Sequence, residues 1–218
     1  MRAVCTVGLN ILLLVVANIF TSAWELSAMT AQSKVQKERF FSNVFGVYEA
    51  IAFVVGSGLI LTAQFATRLL AAPSYFEAWR FIPVLVLATA LACLGSFLAS
   101  IYMLEKRSVA TLTTTLLGAG ANIAGNLWLI PKLGIMGAAI ATLGSYALIF
   151  VVRAVHTRTM LRLRWSVPKL LGCFGLLAVQ CVLMKTGAAH WPVWSVLCFL
   201  AILLLNRKPL LQAIRKVV

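Results

Sequence analysis

Acidic residues and histidines are scarce in this chain of 218 residues. It has five Glu, no Asp and two His. General acid–base catalysis usually needs a His or a carboxylate within hydrogen-bond reach of the reacting group. The sequence also lacks a nucleophile elbow, a phosphate-binding loop and a metalloprotease motif. We therefore expect a protein that is not an enzyme.

Metal-type spacings of cysteine and histidine are also missing. The five Cys lie in or beside apolar segments, where a buried small hydrophobe is the ordinary role of this residue. His156 and His190 fall in linkers that are predicted to lie on opposite sides of the protein. We expect no metal and no cofactor.

Charged residues make up only 11% of the chain, and hydrophobic residues make up 62%. Soluble domains are about 45–50% apolar and about 25% charged. The 19 Lys and Arg give a net charge of +14, but a nucleic-acid-binding surface needs a polar scaffold that this composition does not supply. A polytopic membrane protein is the class that remains, and we expect no nucleic-acid partner.

Apolar windows of the length that crosses a bilayer, about 20 residues, can be placed seven times along the chain. The sequence thus predicts an all-α transmembrane bundle of about seven spans, of which the last two are short. The windows are Val4 to Trp24, Val44 to Thr67, Phe81 to Leu104, Val109 to Ile130, Ile135 to Val155, Leu170 to Met184 and Trp191 to Leu205.

The linkers between these windows alternate in charge. One set contains 14 of the 19 Lys and Arg, and basic loops stay on the cytoplasmic side. This places the C-terminus in the cytoplasm and the N-terminus outside, so that further helices are expected upstream in a larger transporter. In an alternative interpretation, Arg2 and the apolar run from Val7 to Phe20 form a cleavable signal, which would invert every later loop.

The most basic linker, from Arg153 to Lys169, alternates cations with apolar residues. We expect it to lie along the cytoplasmic surface against anionic membrane lipids, with Trp165 at the interface. All of its cations are counted as loop residues in this interpretation.

Glu49 is the clearest ionisable residue inside an apolar window. Such a group is a functional candidate because its insertion into the bilayer costs about 2.5–3.5 kcal/mol. It is either a cavity-lining site for a proton or a coupling cation, or a carboxylate near the interface that reaches water or pairs with a basic loop residue such as Lys106.

A stripe of small and polar residues runs along the fourth window at spacings of three and four. It is either a seam where helices pack closely and Asn side chains bond across, or the lining of a water-filled cavity. Asn122 and Asn126 are candidates for both roles. The stripe comprises Thr111, Thr114, Thr115, Gly118, Asn122, Gly125 and Asn126.

A tight hairpin follows this stripe. Pro131 is predicted to end the helix, and Gly134 is predicted to permit the reversal. Gly137 opens a small-residue face on the next helix, which we expect to pack against the stripe. Gly118, Pro131, Gly134 and Gly137 are therefore expected to serve helix packing or hinge motion.

The hairpin sequence Asn126-Leu-Trp-Leu-Ile-Pro-Lys-Leu-Gly-Ile-Met-Gly-Ala-Ala-Ile-Ala-Thr142 resembles a segment of polysaccharide flippases, the O-antigen or Wzx-type exporters. This family belongs to the multidrug/oligosaccharidyl-lipid/polysaccharide exporter superfamily. Tyr75-Phe-Glu-Ala-Trp-Arg-Phe-Ile-Pro83 and Ile101-Tyr-Met-Leu-Glu-Lys-Arg107 resemble the two ends of the family's tenth helix. The resemblance covers roughly residues 3–158.

The resemblance implies that the windows correspond to the eighth to fourteenth helices of a flippase. Residues 1–157 would form most of its second lobe, and residues 158–218 a basic cytoplasmic linker, two additional helices and a basic tail. The implied substrate is an oligosaccharide repeat unit of O-antigen, capsule or exopolysaccharide, joined by pyrophosphate to a polyprenyl lipid. It would cross the bacterial inner membrane by alternating access. The implied partners are the missing N-terminal half or the polysaccharide polymerase machinery.

Arg68 and Arg80 flank the outer linker around Pro73 and are candidates for holding a pyrophosphate near the exit. In the alternative, both side chains snorkel toward lipid headgroups. Two other functions stay open at this point. One is a small-molecule exporter of the multidrug type, and the other is a truncated membrane subunit or remnant that does not transport.

Overall fold

A computed structural model describes residues 34–70, 73–186 and 190–211. All of the regular structure in these ranges is helical, which confirms the predicted all-α class. The helices are α1 (Lys34–Leu70), a 3₁₀ helix (Pro73–Arg80), α2 (Ile82–Leu104), α3 (Ser108–Leu133), α4 (Ile135–Thr157), α5 (Val167–Thr186) and α6 (Trp191–Leu205). The window from Val4 to Trp24 lies outside the described residues.

Four of these helices, α1, α2, α4 and α5, are long and apolar enough to cross a membrane. The chain is accordingly a membrane-embedded protein. Two predicted spans differ from this description. Helix α3 has 26 residues, but its Thr, Asn and Gly leave no stretch as apolar as those of the other four helices. Helix α6 has only 15 residues.

The helices form two groups that share α2. Helix α4 packs closely against α2 and α3, and α1 packs against α2, α5 and α6. Aromatic rings fill the junction between α1 and α2, where the Phe45 and Phe97 ring centroids lie 5.2 Å apart and those of Tyr48 and Phe97 lie 5.5 Å apart. Such rings bury large apolar areas when they pack together, and this packing fixes the helices against one another.

The hairpin between α3 and α4 forms where the sequence predicts it, but its proline acts differently. Pro131 lies inside α3, which continues to Leu133. A proline removes one helical hydrogen bond. Because this loss falls in the last turn of α3, the helix continues past Pro131 to Leu133. The reversal occurs at Gly134, whose φ of 58° is a conformation that side chains with a Cβ rarely adopt.

Residues 158–166, which we call the strap, cross the start of α1. The backbone N–H of Arg162 donates to Glu38 Oε1 at 3.2 Å, and that of Arg164 donates to Ser42 Oγ at 3.0 Å. The Trp165 ring packs against Phe45, with centroids 4.9 Å apart. The apolar side chains of this linker therefore pack on the protein, and the position of Trp165 at the membrane interface stays a prediction.

Candidate functional site

Arg153 is the one buried Lys or Arg in the described part of the chain, although the charge count places it in a cytoplasmic linker. It belongs to α4, in the run Val151-Val152-Arg153-Ala154, four residues before the helix ends at Thr157, and its relative exposure is 6%. Its assignment to a loop in the charge count is therefore wrong. The helix continues through Arg153 because the residues on both sides are apolar and the guanidinium finds acceptors on neighbouring helices.

Three uncharged oxygens accept hydrogen bonds from Arg153. Nε donates to Thr114 Oγ1 at 3.0 Å, Nη2 to Thr115 Oγ1 at 2.9 Å and Nη1 to the Gly95 carbonyl at 2.9 Å. No carboxylate in the described part of the chain forms an ion pair with this guanidinium. A buried cation is costly to desolvate without partners, so these bonds keep Arg153 in place while its positive charge stays uncompensated.

The threonine hydroxyls are oriented by their own helix. Thr114 Oγ1 donates to the Ala110 carbonyl at 2.9 Å, and Thr115 Oγ1 donates to the Thr111 carbonyl at 2.8 Å. A hydroxyl that donates to its helix backbone keeps its lone pairs for another donor. Both lone-pair sites thus face the guanidinium without any rearrangement of α3.

Two adjoining cavities extend along α3 from this cation, and we call them together the groove. The first has a volume of about 330 Å³ and the second about 370 Å³. Thr115, Tyr146 and Ile149 line both cavities. The first is also lined by Ala92, Ser96, Ala99, Thr111 and Arg153, and the second by Gly118, Ala119, Asn122, Thr142 and Ser145.

Asn122 serves both the packing of the helices and the lining of the groove. Its Nδ2 donates to Ser145 Oγ at 3.3 Å and to Thr142 Oγ1 at 3.4 Å, across the interface with α4. Asn126 Nδ2 donates to Asn122 Oδ1 at 2.9 Å. Asn126 Oδ1 is buried without a hydrogen-bond partner. The two interpretations of the polar stripe, seam and cavity lining, therefore both apply to Asn122, whereas Asn126 lines neither cavity.

Close approach of α3 and α4 depends on the predicted small residues. A Cβ at Gly118 would collide with the side chain of Ile149, and a Cβ at Gly137 would collide with the Leu129 carbonyl. At Gly125 a Cβ would lie 3.0 Å from that of Ala141. The predicted packing of the hairpin helices is confirmed.

Glu49 occupies a different part of the bundle. It lies on α1 with a side-chain exposure of 3%, and its Oε1 is 3.6 Å from Lys169 Nζ on α5. The proposed partner Lys106 is therefore replaced by Lys169. Cys173, one turn after Lys169, accepts a hydrogen bond from Asn206 Nδ2 at 3.4 Å. Glu49 lines neither cavity of the groove.

The two remaining candidate arginines lie at the other end of the helices. The side chains of Arg68 and Arg80 are exposed. Arg80 Nη2 is 3.2 Å from Glu77 Oε1, and the Arg80 guanidinium lies 5.8 Å from the centre of the Trp79 ring. Neither arginine lines the groove.

The sequence contained a signal for Arg153 that the loop count obscured. The residue lies within its own apolar window, Ile135 to Val155, and follows six residues from Ala147 to Val152 that carry no charge. An ionisable residue inside such a window is a candidate by the same argument that selected Glu49. The threonines that hold it belong to the predicted stripe.

Comparison with family descriptions, curated proteins and solved structures gives no match for this chain. The groove is thus described by its own chemistry. It combines one uncompensated cation at one end with hydroxyl and amide groups along its length, inside a bundle of membrane-type helices.

Proposed function

We propose that this chain, alone or as part of a longer transporter, moves a polyprenyl-pyrophosphate-linked oligosaccharide across the bacterial inner membrane by alternating access. The observation that carries the proposal is Arg153, a buried cation that lines the groove and is held by neutral acceptors. The resemblance of the hairpin sequence to polysaccharide flippases points to the same class of substrate.

The first cavity suits the phosphate groups of such a substrate. An arginine presents several N–H donors in a planar fork that matches phosphate oxygens, and charge-assisted hydrogen bonds are stronger than neutral ones. Because Thr114 and Thr115 are satisfied by their own helix backbone, a phosphate that draws Arg153 away from them leaves no hydroxyl donor unpaired.

The second cavity suits the sugar. Asn122, Thr142 and Ser145 offer amide and hydroxyl groups, which replace the hydrogen bonds that a sugar loses when it leaves water. Apolar residues flank them, and the outer side of α3 presents Leu116, Leu127 and Trp128. This outer surface is compatible with contact to lipid chains.

A multidrug-type exporter is the second candidate function, and the groove disfavours it for cationic compounds. None of the residues that line the two cavities is acidic. A cationic drug in the first cavity would be repelled by Arg153 without a carboxylate to offset that repulsion.

We propose that the basic end of the bundle faces the cytoplasm. This end, where α1, α3 and α5 begin and α2, α4 and α6 end, carries most of the described cations even after Arg153 is assigned to the helix interior. Positive loops stay on the cytoplasmic side, and the C-terminus is placed there for the same reason.

Binding of undecaprenyl pyrophosphate to the purified chain, with uncharged undecaprenol as the matched lipid, tests the site. Arg153→Gln should weaken pyrophosphate binding at least about tenfold, because charge-assisted hydrogen bonds are lost, and it should leave undecaprenol binding unchanged. Arg153→Lys should retain most of the affinity. Lys132→Gln, which removes an exposed cation 4.1 Å from the Trp128 ring, should have no effect.

Equal losses for Arg153→Gln and Lys132→Gln would contradict the assignment of the groove. Transport itself is tested by complementation of a strain that lacks its own O-antigen flippase. Pyrophosphate binding without complementation would indicate that the chain acts as part of a longer transporter. Absence of both would favour a membrane subunit that does not transport.

A further inference from the structure

We propose that the strap binds the headgroups of acidic phospholipids. This inference does not depend on the proposed transport function, because it concerns an exposed surface outside the groove. It rests on how the strap is folded and on the charges that surround it.

The strap separates its apolar and basic side chains onto two faces. Residues 161–166 are outside any helix, and burial alternates along them. Leu161 is 1% exposed, and Leu163 and Trp165 pack against the core. Arg162 and Arg164, which alternate with them, are exposed. The strap's apolar residues are thus engaged with protein, and its arginines face outward.

The backbone of the strap is fixed where these arginines project. Both hydrogen bonds to α1 come from the arginines' own N–H groups, at Glu38 Oε1 and Ser42 Oγ. The N–H of Leu163 also donates to the Leu161 carbonyl at 3.1 Å, which makes a tight turn at Arg162. Two guanidinium groups on a backbone fixed in this way require less ordering on binding than two groups on a flexible loop.

The surroundings of the strap are also cationic. Arg39 on α1, Arg107 between α2 and α3, and Arg207 after α6 are exposed at the same end of the bundle. The carboxylates described at this end are Glu38, which accepts the Arg162 N–H, Glu105, and the buried Glu49, which is paired with Lys169. A surface of this charge, at the end of membrane-type helices, is complementary to an anionic lipid leaflet.

Native mass spectrometry of the full chain in detergent with phosphatidylglycerol or phosphatidylcholine tests this inference. We expect wild type to retain phosphatidylglycerol in preference to phosphatidylcholine. A basic residue near an anionic surface changes binding by about fivefold, so R162Q/R164Q should weaken phosphatidylglycerol binding by about 25-fold. The matched control K132Q/K185Q removes two exposed cations from the opposite end and should change it by less than about twofold.

Equal retention of the two lipids by wild type, or equal losses in the two double variants, would overturn the inference. Displacement of bound phosphatidylglycerol by millimolar inorganic phosphate would also overturn it, because the surface would then take phosphate from any source. R162K/R164K should bind like wild type, since it keeps the charges. Circular dichroism of all variants separates lost binding from lost folding.

Discussion

Two buried charges divide the described bundle into regions of different electrostatic character. Glu49 lies between α1 and α5 and has Lys169 as its counter-ion at 3.6 Å. Arg153 lies among α2, α3 and α4 and has only hydroxyl and carbonyl partners. The first region is electrically balanced and closely packed. The second keeps a net positive charge beside a groove, which is the arrangement that an anionic ligand requires.

The difference also predicts how each region tolerates mutation. Removal of one partner from a buried ion pair leaves an uncompensated charge and is strongly destabilising. Removal of Arg153 leaves two threonine hydroxyls that still donate to their own helix. We therefore expect stability to depend mainly on the Glu49 region and ligand binding mainly on the Arg153 region.

The largest expected effect comes from Lys169→Met. This change leaves the Glu49 carboxylate, whose side chain is 3% exposed, without a counter-ion and should lower the free energy of unfolding by about 3–5 kcal/mol. Denaturant titration in detergent, followed by circular dichroism, measures it. The double variant Glu49→Gln/Lys169→Met should recover most of the loss. A double variant as unstable as the single one would show that the charge is not the cause.

Gly137→Ala should lower stability by about 1–3 kcal/mol, the cost of adding a methyl group to a filled contact. Its Cβ would meet the Leu129 carbonyl and force α3 away from α4 near the hairpin. Gly144→Ala is the matched control on the same helix, because a Cβ at Gly144 meets nothing within 4 Å. Thermal unfolding of the two variants sharpens the comparison between the regions, and identical melting temperatures would contradict the close contact at Gly137.

Arg153→Gln should cost about 1–2 kcal/mol of stability, because hydrogen bonds to a charged group are lost while their acceptors keep other partners. This loss is smaller than that of Lys169→Met. Denaturant titration of the two variants under the same conditions tests whether Arg153→Gln loses less stability than Lys169→Met. A larger loss for Arg153→Gln would mean that the groove region, not the ion pair, dominates stability.

Asn122→Ala should have the smallest effect, about 0.5–1.5 kcal/mol. The two bonds to Ser145 and Thr142 are long, at 3.3 and 3.4 Å, and the variant also leaves Asn126 Nδ2 without its acceptor.

Asn122→Asp tests the electrostatic side of the comparison. A carboxylate in the second cavity should weaken the binding of undecaprenyl pyrophosphate. Asn122→Ala should weaken the binding of the sugar-linked lipid more than the binding of undecaprenyl pyrophosphate.

The helices and the tight α3–α4 seam could be predicted because both depend on local patterns. Apolar length defines a membrane-type helix, and small residues at spacings of three and four define a face for close packing. Gly134 and Gly137 also act as predicted, since backbone conformation and close approach both require a residue without a side chain.

The electrostatic partners could not be predicted, because they come from distant segments. Glu49 pairs with Lys169, which is 120 residues later in the chain. Charge counting places both Lys169 and Arg153 in one loop, although Lys169 lies in the first turn of α5 and Arg153 lies within α4. A count of loop charges reports topology, but it cannot distinguish a cation at the membrane surface from one that turns inward against polar groups on a neighbouring helix.

Ile149 occupies a position with a consequence for substrate selection. Its side chain lines both cavities of the groove and fills the space left by Gly118, while its Cγ2 lies 3.7 Å from where a Cβ on Gly95 would be. The passage between the two cavities is therefore bordered by Ile149 together with Thr115 and Tyr146. For a ligand that spans both cavities, we expect the Ile149 side chain to act as a size filter. Shorter side chains there would admit bulkier or branched groups next to the phosphate, and longer ones would exclude them.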